Sequence, residues 1–333
     1  MEDRKGDHIR LALNSQIQAD ELDNRFDYEP MLGSAAESEW QPFEFLGREF
    51  KIPMWISSMT GGASESLYIN QNLAKACNKF GMGMGLGSCR ILLDNKKHLP
   101  DFDLRDIIGD DLPFYANLGI AQLEKMMING EYEKIEDLIN MLRADGIIIH
   151  INPLQESLQH EGDFLHYRPI DTLKDFLSKT NIKVIVKEVG QGMGIRSLKE
   201  LLLLPIEAIE TASFGGTNFA RLELLRRGAE NVSHLEPLAH IGHTAENMVD
   251  NINLIAENIP EIKCRQIIIS GGIRTHLDGY YLISKCKLPA VYGQASGFLK
   301  HARESYASLE KYIEEQILGL RFSKAWLYPK TGK

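Results

Sequence analysis

Residues 264–278 read CRQIIISGGIRTHLD. The first half is an apolar run without alternation, the pattern of a parallel strand covered on both faces. Two glycines and an arginine then stand where a helix should begin. A turn stripped of side chains lets a ligand approach the backbone, and a helix N-terminus beyond it offers free N–H groups to an anion. Whether this turn is isolated or one of a series decides the fold.

It is one of a series. Counting QIIIS (266–270) itself, eight such runs occur: MWISSM (54–59), MGMGLGS (82–88), PFYANLG (113–119), GIIIHIN (146–152), KVIVKEV (183–189), IEAIET (206–211), QIIIS and PAVYGQA (289–295). Between them, stretches such as SLYINQNLAKACNKF and IAQLEKMMINGEYEKIEDLINMLRAD carry apolar residues at helical spacing. Eight βα units in a chain of 333 residues predict an α/β protein with a TIM (β/α)8 barrel. An open doubly wound sheet is the rival. FEFLGREFKIP ahead of the first unit reads as a hairpin able to cover the barrel bottom. Residues 1–40 hold few apolar patterns and read as a mobile arm, leaving 41–333 as a single catalytic domain.

Composition narrows the partners. A formal charge of -9 argues against a nucleic-acid protein, which would carry a basic face. No apolar run reaches the roughly 18 residues of a membrane span. MEDRKGDHIR lacks the apolar segment of a signal peptide. Cys77, Cys89, Cys264 and Cys286 form no CxxC pair, which points to a reducing cytoplasm rather than a disulfide or metal framework.

In a TIM barrel the chemistry lies at the C-terminal strand ends. Here those ends read SSMTGG, GLGSCR, NLG, HINPLQE, KEVGQGMG, TASFGGTN, SGGIR and GQASG. Gly271, Gly272, Ile273 and Arg274 follow strand seven and GQASG follows strand eight, where barrels of this class often bind a phosphate. The expected visitor is the phosphate of a flavin or sugar-phosphate cofactor. Met59 and Thr60 offer backbone groups to a flat ring over the barrel mouth, and Asn117 can donate to a ring carbonyl. Lys187, emerging from VIVKEV, needs an anionic partner. It would stabilise the negative charge of a reduced flavin near N1–C2=O. The alternative is a structural ion pair with Glu188 or another carboxylate.

RKGDHI, MTGG, GLGSCR, HINPLQE, KEVGQGMG, GGTNFARLE, SGGIR and FLKHA together resemble type 2 isopentenyl-diphosphate isomerase, in consistent order from about residue 4 to 302. The resemblance implies a cytoplasmic enzyme that uses reduced FMN, Mg²⁺ and NADPH to interconvert isopentenyl and dimethylallyl diphosphate. It implies a homo-oligomer, a tetramer or larger. It places Arg4, Lys5, His8, Ser88, Cys89, Arg90, His150, Asn152 and Gln155 on the substrate, with the arm folding over it. It gives Glu156 to Mg²⁺ and makes Gln155, Glu223 and His150 candidates for catalysis. For FMN it assigns Ser58, Met59, Thr60, Ser88, Asn117, Lys187, Thr217, Gly271, Gly272, Ile273, Arg274, Ala295 and Ser296. Reduced FMN itself would act as the acid–base group through N5.

Each assignment has a plainer rival. DRKGDHIR can be a solvated tail, Glu156 a helix-start carboxylate, Glu223 a solvent-facing helical acid and Cys89 a packing residue. The chain also departs from the family pattern. Ala212 stands where Ser is usual and Ser213 where Gly is usual, Phe219 replaces Trp, and ASGFLK replaces AGPFLK. Three histidines, His234, His240 and His243, invite a zinc site that the spacing alone does not support. Two other functions remain open: an FMN-dependent hydroxyacid oxidoreductase and a non-catalytic flavin- or phosphate-binding module.

Overall fold

The computed structural model describes residues 2–34, 38–58, 60–159, 162–228 and 234–330. The arm contains a helix, Glu2–Leu11, and a strand β1, Phe26–Tyr28. The expected hairpin follows as β2 (Phe43–Phe45) and β3 (Arg48–Phe50). The eight runs then give β4 (Met54–Ile56), β5 (Gly83–Gly85), β6 (Phe114–Gly119), β7 (Gly146–His150), β8 (Val184–Lys187), β9 (Ala208–Glu210), β10 (Ile267–Ser270) and β11 (Ala290–Gln294). A last strand, β12 (Leu327–Pro329), ends the described chain. β4 to β11 form a closed barrel in chain order. Pairing of β11 with β4 closes it and excludes the open sheet. No helix among the described residues is long and apolar enough to cross a membrane.

Period two along the strands explains where the site lies. Trp55, Tyr115, Ile148, Ile185, Ala208, Ile268 and Val291 form one inward apolar cluster with Phe45, Leu46 and Phe50 of the hairpin. The hairpin therefore plugs the barrel bottom, turning through Leu46 and Gly47 with φ of 52° and 68°. The residues between, such as Ile147, Val186 and Ile269, face outward into the core shared with the helices. Two positions beyond each inward apolar residue, the same face presents Ser57, Asn117, His150, Lys187, Glu210, Ser270 and Gly293. A polar layer thus sits directly on the apolar one, at the C-terminal mouth.

The helical spacing of 120–145 is realised as two helices, Ile120–Asn129 and Glu133–Leu142, because the left-handed C-cap at Gly130 (φ 69°) ends the first. One expectation needs correction: the arm is not loose throughout. β1 pairs antiparallel with β12, Arg25 bonds Asp278 at 2.8 Å, and Phe26 stacks on Tyr280. Arg4, Lys5 and His8 lie exposed on the first helix, and the structure does not seat them in the site.

Candidate active site

A cavity of about 160 Å³ opens at the mouth, lined by the ends of β4, β8, β9, β10 and β11. Its far wall is made of two glycine pairs. A Cβ on Gly216, after β9, would lie 3.1 Å from the Gly272 nitrogen, after β10. Gly271 and Gly272 have φ of 87° and 75°. A Cβ on Gly271 would run into the backbone N and O of Ser213. Gly271→Ala therefore combines left-handed strain with a backbone collision. It is expected to destabilise the protein by more than about 2 kcal/mol and to abolish FMN uptake. A thermal melt and an FMN titration check this.

Two amides just ahead of the helix after β10 are already engaged. The Asp278 carboxylate accepts the Arg274 and Thr275 N–H groups at 3.0 and 2.9 Å, and a Thr275–Asp278 capping box completes that end. Those amides are spent. The N–H groups of Gly271, Gly272 and Ile273 donate to no acceptor among the described residues, and they line the cavity with Ala295 and Ser296. Gln294 braces them by donating to the Ile273 carbonyl at 3.3 Å.

Lys187 is 7% exposed, and among the described residues its ammonium donates only to the Glu188 backbone carbonyl, at 3.1 Å. The rival reading of an ion pair with Glu188 fails. The Glu188 carboxylate accepts the N–H groups of Gly190, Gln191 and Gly192 at 2.6–2.8 Å. Burial pushes the Glu188 pKa upward, and these three donors oppose it. Lys187 has no carboxylate in ion-pair reach among the described residues, so a buried ammonium faces the cavity. A buried charge of this kind requires an anion. Ser57 Oγ, Ser58 Oγ and Glu210 Oε2 are likewise buried without partners among the described residues, and all three residues line the same cavity.

A second group of polar residues gathers beyond the ends of β5, β7 and β9. Asn152, at the start of the helix Pro153–Leu158, donates to Gln155 Oε1 (3.1 Å) and Glu156 Oε1 (2.9 Å). Gln155 donates to Glu223 Oε1 at 3.2 Å, and Arg226 holds Glu223 Oε2 at 2.7 Å. Glu156 Oε2 accepts the Asp163 N–H at 3.0 Å, and Asp163 in turn pairs with Arg90 at 3.4 Å. The structure thus joins Arg90, Asn152, Gln155, Glu156 and Glu223 into one network. Glu223 is 4% exposed, so it is not a solvent-facing acid.

His150 stands in register with Lys187 on the neighbouring strand. Asn117 donates through Nδ2 to the Leu86 carbonyl at 2.9 Å, which turns its Oδ1 toward His150 Nδ1 at 2.8 Å. His150 Nδ1 must then donate, leaving Nε2 with its lone pair. Burial first, and the Lys187 charge second, push the His150 pKa down to about 3. The unfolded chain binds this proton near pH ~6.5. Stability from neutral His150 is therefore lost as pH falls from that value toward the folded pKa. His150→Gln is expected to reduce the acid-induced loss of stability by up to about 2 kcal/mol at pH 5, measured by denaturant titration.

Other expected residues fall outside the cavity wall. Thr60 spends its hydroxyl on Asn70 at 2.8 Å, and Ser88 is exposed, accepting weakly from the Arg90 N–H at 3.5 Å. Met59 lies outside the described residues. Cys89 is a correction: it is 0% exposed, its thiol donates to the Gly87 carbonyl, and its own N–H goes to the Asn117 carbonyl. Burial pushes the thiol pKa up to about 12, in keeping with a packed side chain. Ser213 also turns from the cavity, donating to the Met248 sulfur at 3.3 Å. Ala212 lines the cavity at a strained φ of 40°. The sequence reading missed Ser57, Glu210, Ser270 and Gln294, although period two from the apolar layer marks the first three.

No family model matches the chain. An isopentenyl-diphosphate delta-isomerase from Mycolicibacterium vanbaalenii is 33% identical over 330 residues, spanning 96% of this chain and 92% of its own. One from Nostoc sp. is 34% identical over 325 residues, spanning 94% and 88%. Among solved structures, a flavocytochrome b2 with sulfite bound superposes with a TM-score of 0.61 at 12% identity, covering 90% of this chain and 71% of that one. A mandelate oxidase with a monooxide FMN adduct gives a TM-score of 0.56 at 12% identity, covering 92% and 88%. At that identity the likeness is one of fold. With relatives so similar over nearly its whole length, the chain belongs to the type 2 isopentenyl-diphosphate delta-isomerase family.

Proposed function

We propose that this protein converts isopentenyl diphosphate to dimethylallyl diphosphate by a 1,3 proton shift, with reduced FMN in the cavity, Mg²⁺ beside it and NADPH as reductant. The observation that carries the reading is Lys187: a buried ammonium with no carboxylate in ion-pair reach among the described residues, facing a glycine-walled cavity. When bound and reduced, FMN supplies an electron-rich ring and a protonatable nitrogen, N5, next to the alkene.

The chain's own residues do the rest. Gly271, Gly272 and Ile273 amides and Ser296 suit the FMN phosphate, and Lys187 suits the charged edge of the ring. The Glu156 carboxylate keeps lone pairs for Mg²⁺, which retains most of its waters and takes further oxygens from the diphosphate. Arg90, freed from Asp163, provides a charge-assisted contact to the same group. The arm carrying Arg4, Lys5 and His8 closes over the mouth and excludes water. Gln155, held between Asn152 and Glu223, places its amide where a proton is added or removed. His150 Nε2 keeps a lone pair for a hydrogen-bond donor such as a metal-bound water. Phe219, on the cavity wall, packs against the isoprenoid carbons. The protein works in the cytoplasm as a homo-oligomer.

Isopentenyl diphosphate incubated with the protein, dithionite-reduced FMN and Mg²⁺ tests this. Dimethylallyl diphosphate is the expected product. Flavin reduction by a 2-hydroxy acid without isomerisation would establish the oxidoreductase reading instead.

A further inference from the structure

Glu210 takes no part in the chemistry above, yet it is 0% exposed and lines the same cavity. Its Oε1 accepts the Ser270 hydroxyl at 3.1 Å, and that hydroxyl oxygen accepts the Ala212 N–H at 3.0 Å. Its Oε2 has no hydrogen-bond partner among the described residues. On the barrel wall Glu210 pairs in register with Lys187 on the neighbouring parallel strand. Paired positions of adjacent strands project to one side. Both charges therefore enter one cavity from neighbouring strands, without joining in an ion pair. In a poorly solvated cavity each field reaches the ligand with little screening.

We propose that Glu210 sets the charge balance of the cavity floor, offsetting Lys187 and limiting how strongly the site favours an anionic ligand. The proposal rests on the reading that FMN fills the cavity. The oxidised isoalloxazine ring is neutral. Addition of two electrons and one proton leaves one negative charge on it. A fixed carboxylate nearby disfavours that charged form, while Lys187 favours it. Glu210 thereby moves the reduction equilibrium in the direction opposite to Lys187.

The test is anaerobic dithionite titration of the FMN-loaded protein against a reference dye, with a thermal melt alongside. Glu210→Gln keeps an acceptor for Ser270 and removes the charge. It is expected to raise the ratio of reduced to oxidised flavin at least tenfold, about 30 mV upward for a two-electron couple. Glu210→Asp keeps the charge and is expected to stay within threefold of wild type. Lys187→Met is expected to shift the ratio the other way. A Glu210→Gln protein that binds FMN with an unchanged equilibrium overturns the proposal alone. Equal shifts in the Gln and Asp variants overturn it too, because they reflect packing rather than charge. A Gln variant that fails to fold or to take up FMN makes the carboxylate structural and likewise overturns the proposal. Wild-type protein that binds no flavin removes the cofactor reading itself.

Discussion

Replacing Lys187 with methionine is expected to lower the isomerisation rate by about 10²–10³-fold while FMN affinity falls by less than about tenfold. Methionine approximates the lysine stem in length and removes the charge. The phosphate cradle of Gly271, Gly272 and Ile273 is untouched, so the cofactor keeps its anchor. What is lost is the cation that the barrel wall itself brings into the cavity, and with it the stabilisation of the charged reduced ring. Steady-state kinetics with reduced FMN, together with fluorescence titration of FMN, separate the two quantities. Equal losses in rate and affinity would make Lys187 a binding residue without a role in the chemistry.

Glu156→Gln is expected to cut turnover at least about a hundredfold and to raise the Mg²⁺ concentration needed for half-maximal rate. Both oxygens of Glu156 accept in the structure, one from Asn152 and one from the Asp163 N–H. An amide can satisfy only one of them and turns its NH2 on the other donor. The substitution also removes the sole charge offered to the metal from the helix Pro153–Leu158. A Mg²⁺ titration of turnover measures the effect. An unchanged metal requirement would show that the diphosphate alone carries the metal.

Much of the fold was legible because the eight barrel strands are continuous apolar runs, and each of them became a strand. The three-residue strands β1 and β12 were not, since FDY and LYP are too short to show a period. Glu210 and Ser270 illustrate what could have been read in the site and was not. Both stand two residues beyond an inward apolar residue, the same spacing that gives Lys187 after Ile185. The sequence reading took Asn117, His150 and Lys187 at such positions and passed over Glu210 and Ser270. Cys89 failed for a different reason. The resemblance carried it over with Ser88 and Arg90, but the chain turns there and directs the thiol inward. The Arg90–Asp163–Glu156 chain joins residues far apart in sequence, so only the folded structure brings it together.

A crystal structure of the protein reconstituted with FMN tests the central claim most directly. The phosphate is predicted within hydrogen-bond distance of the Gly272 amide, with the ring against the Lys187 ammonium. Protein that stays colourless after reconstitution, or a phosphate lodged elsewhere, would contradict it.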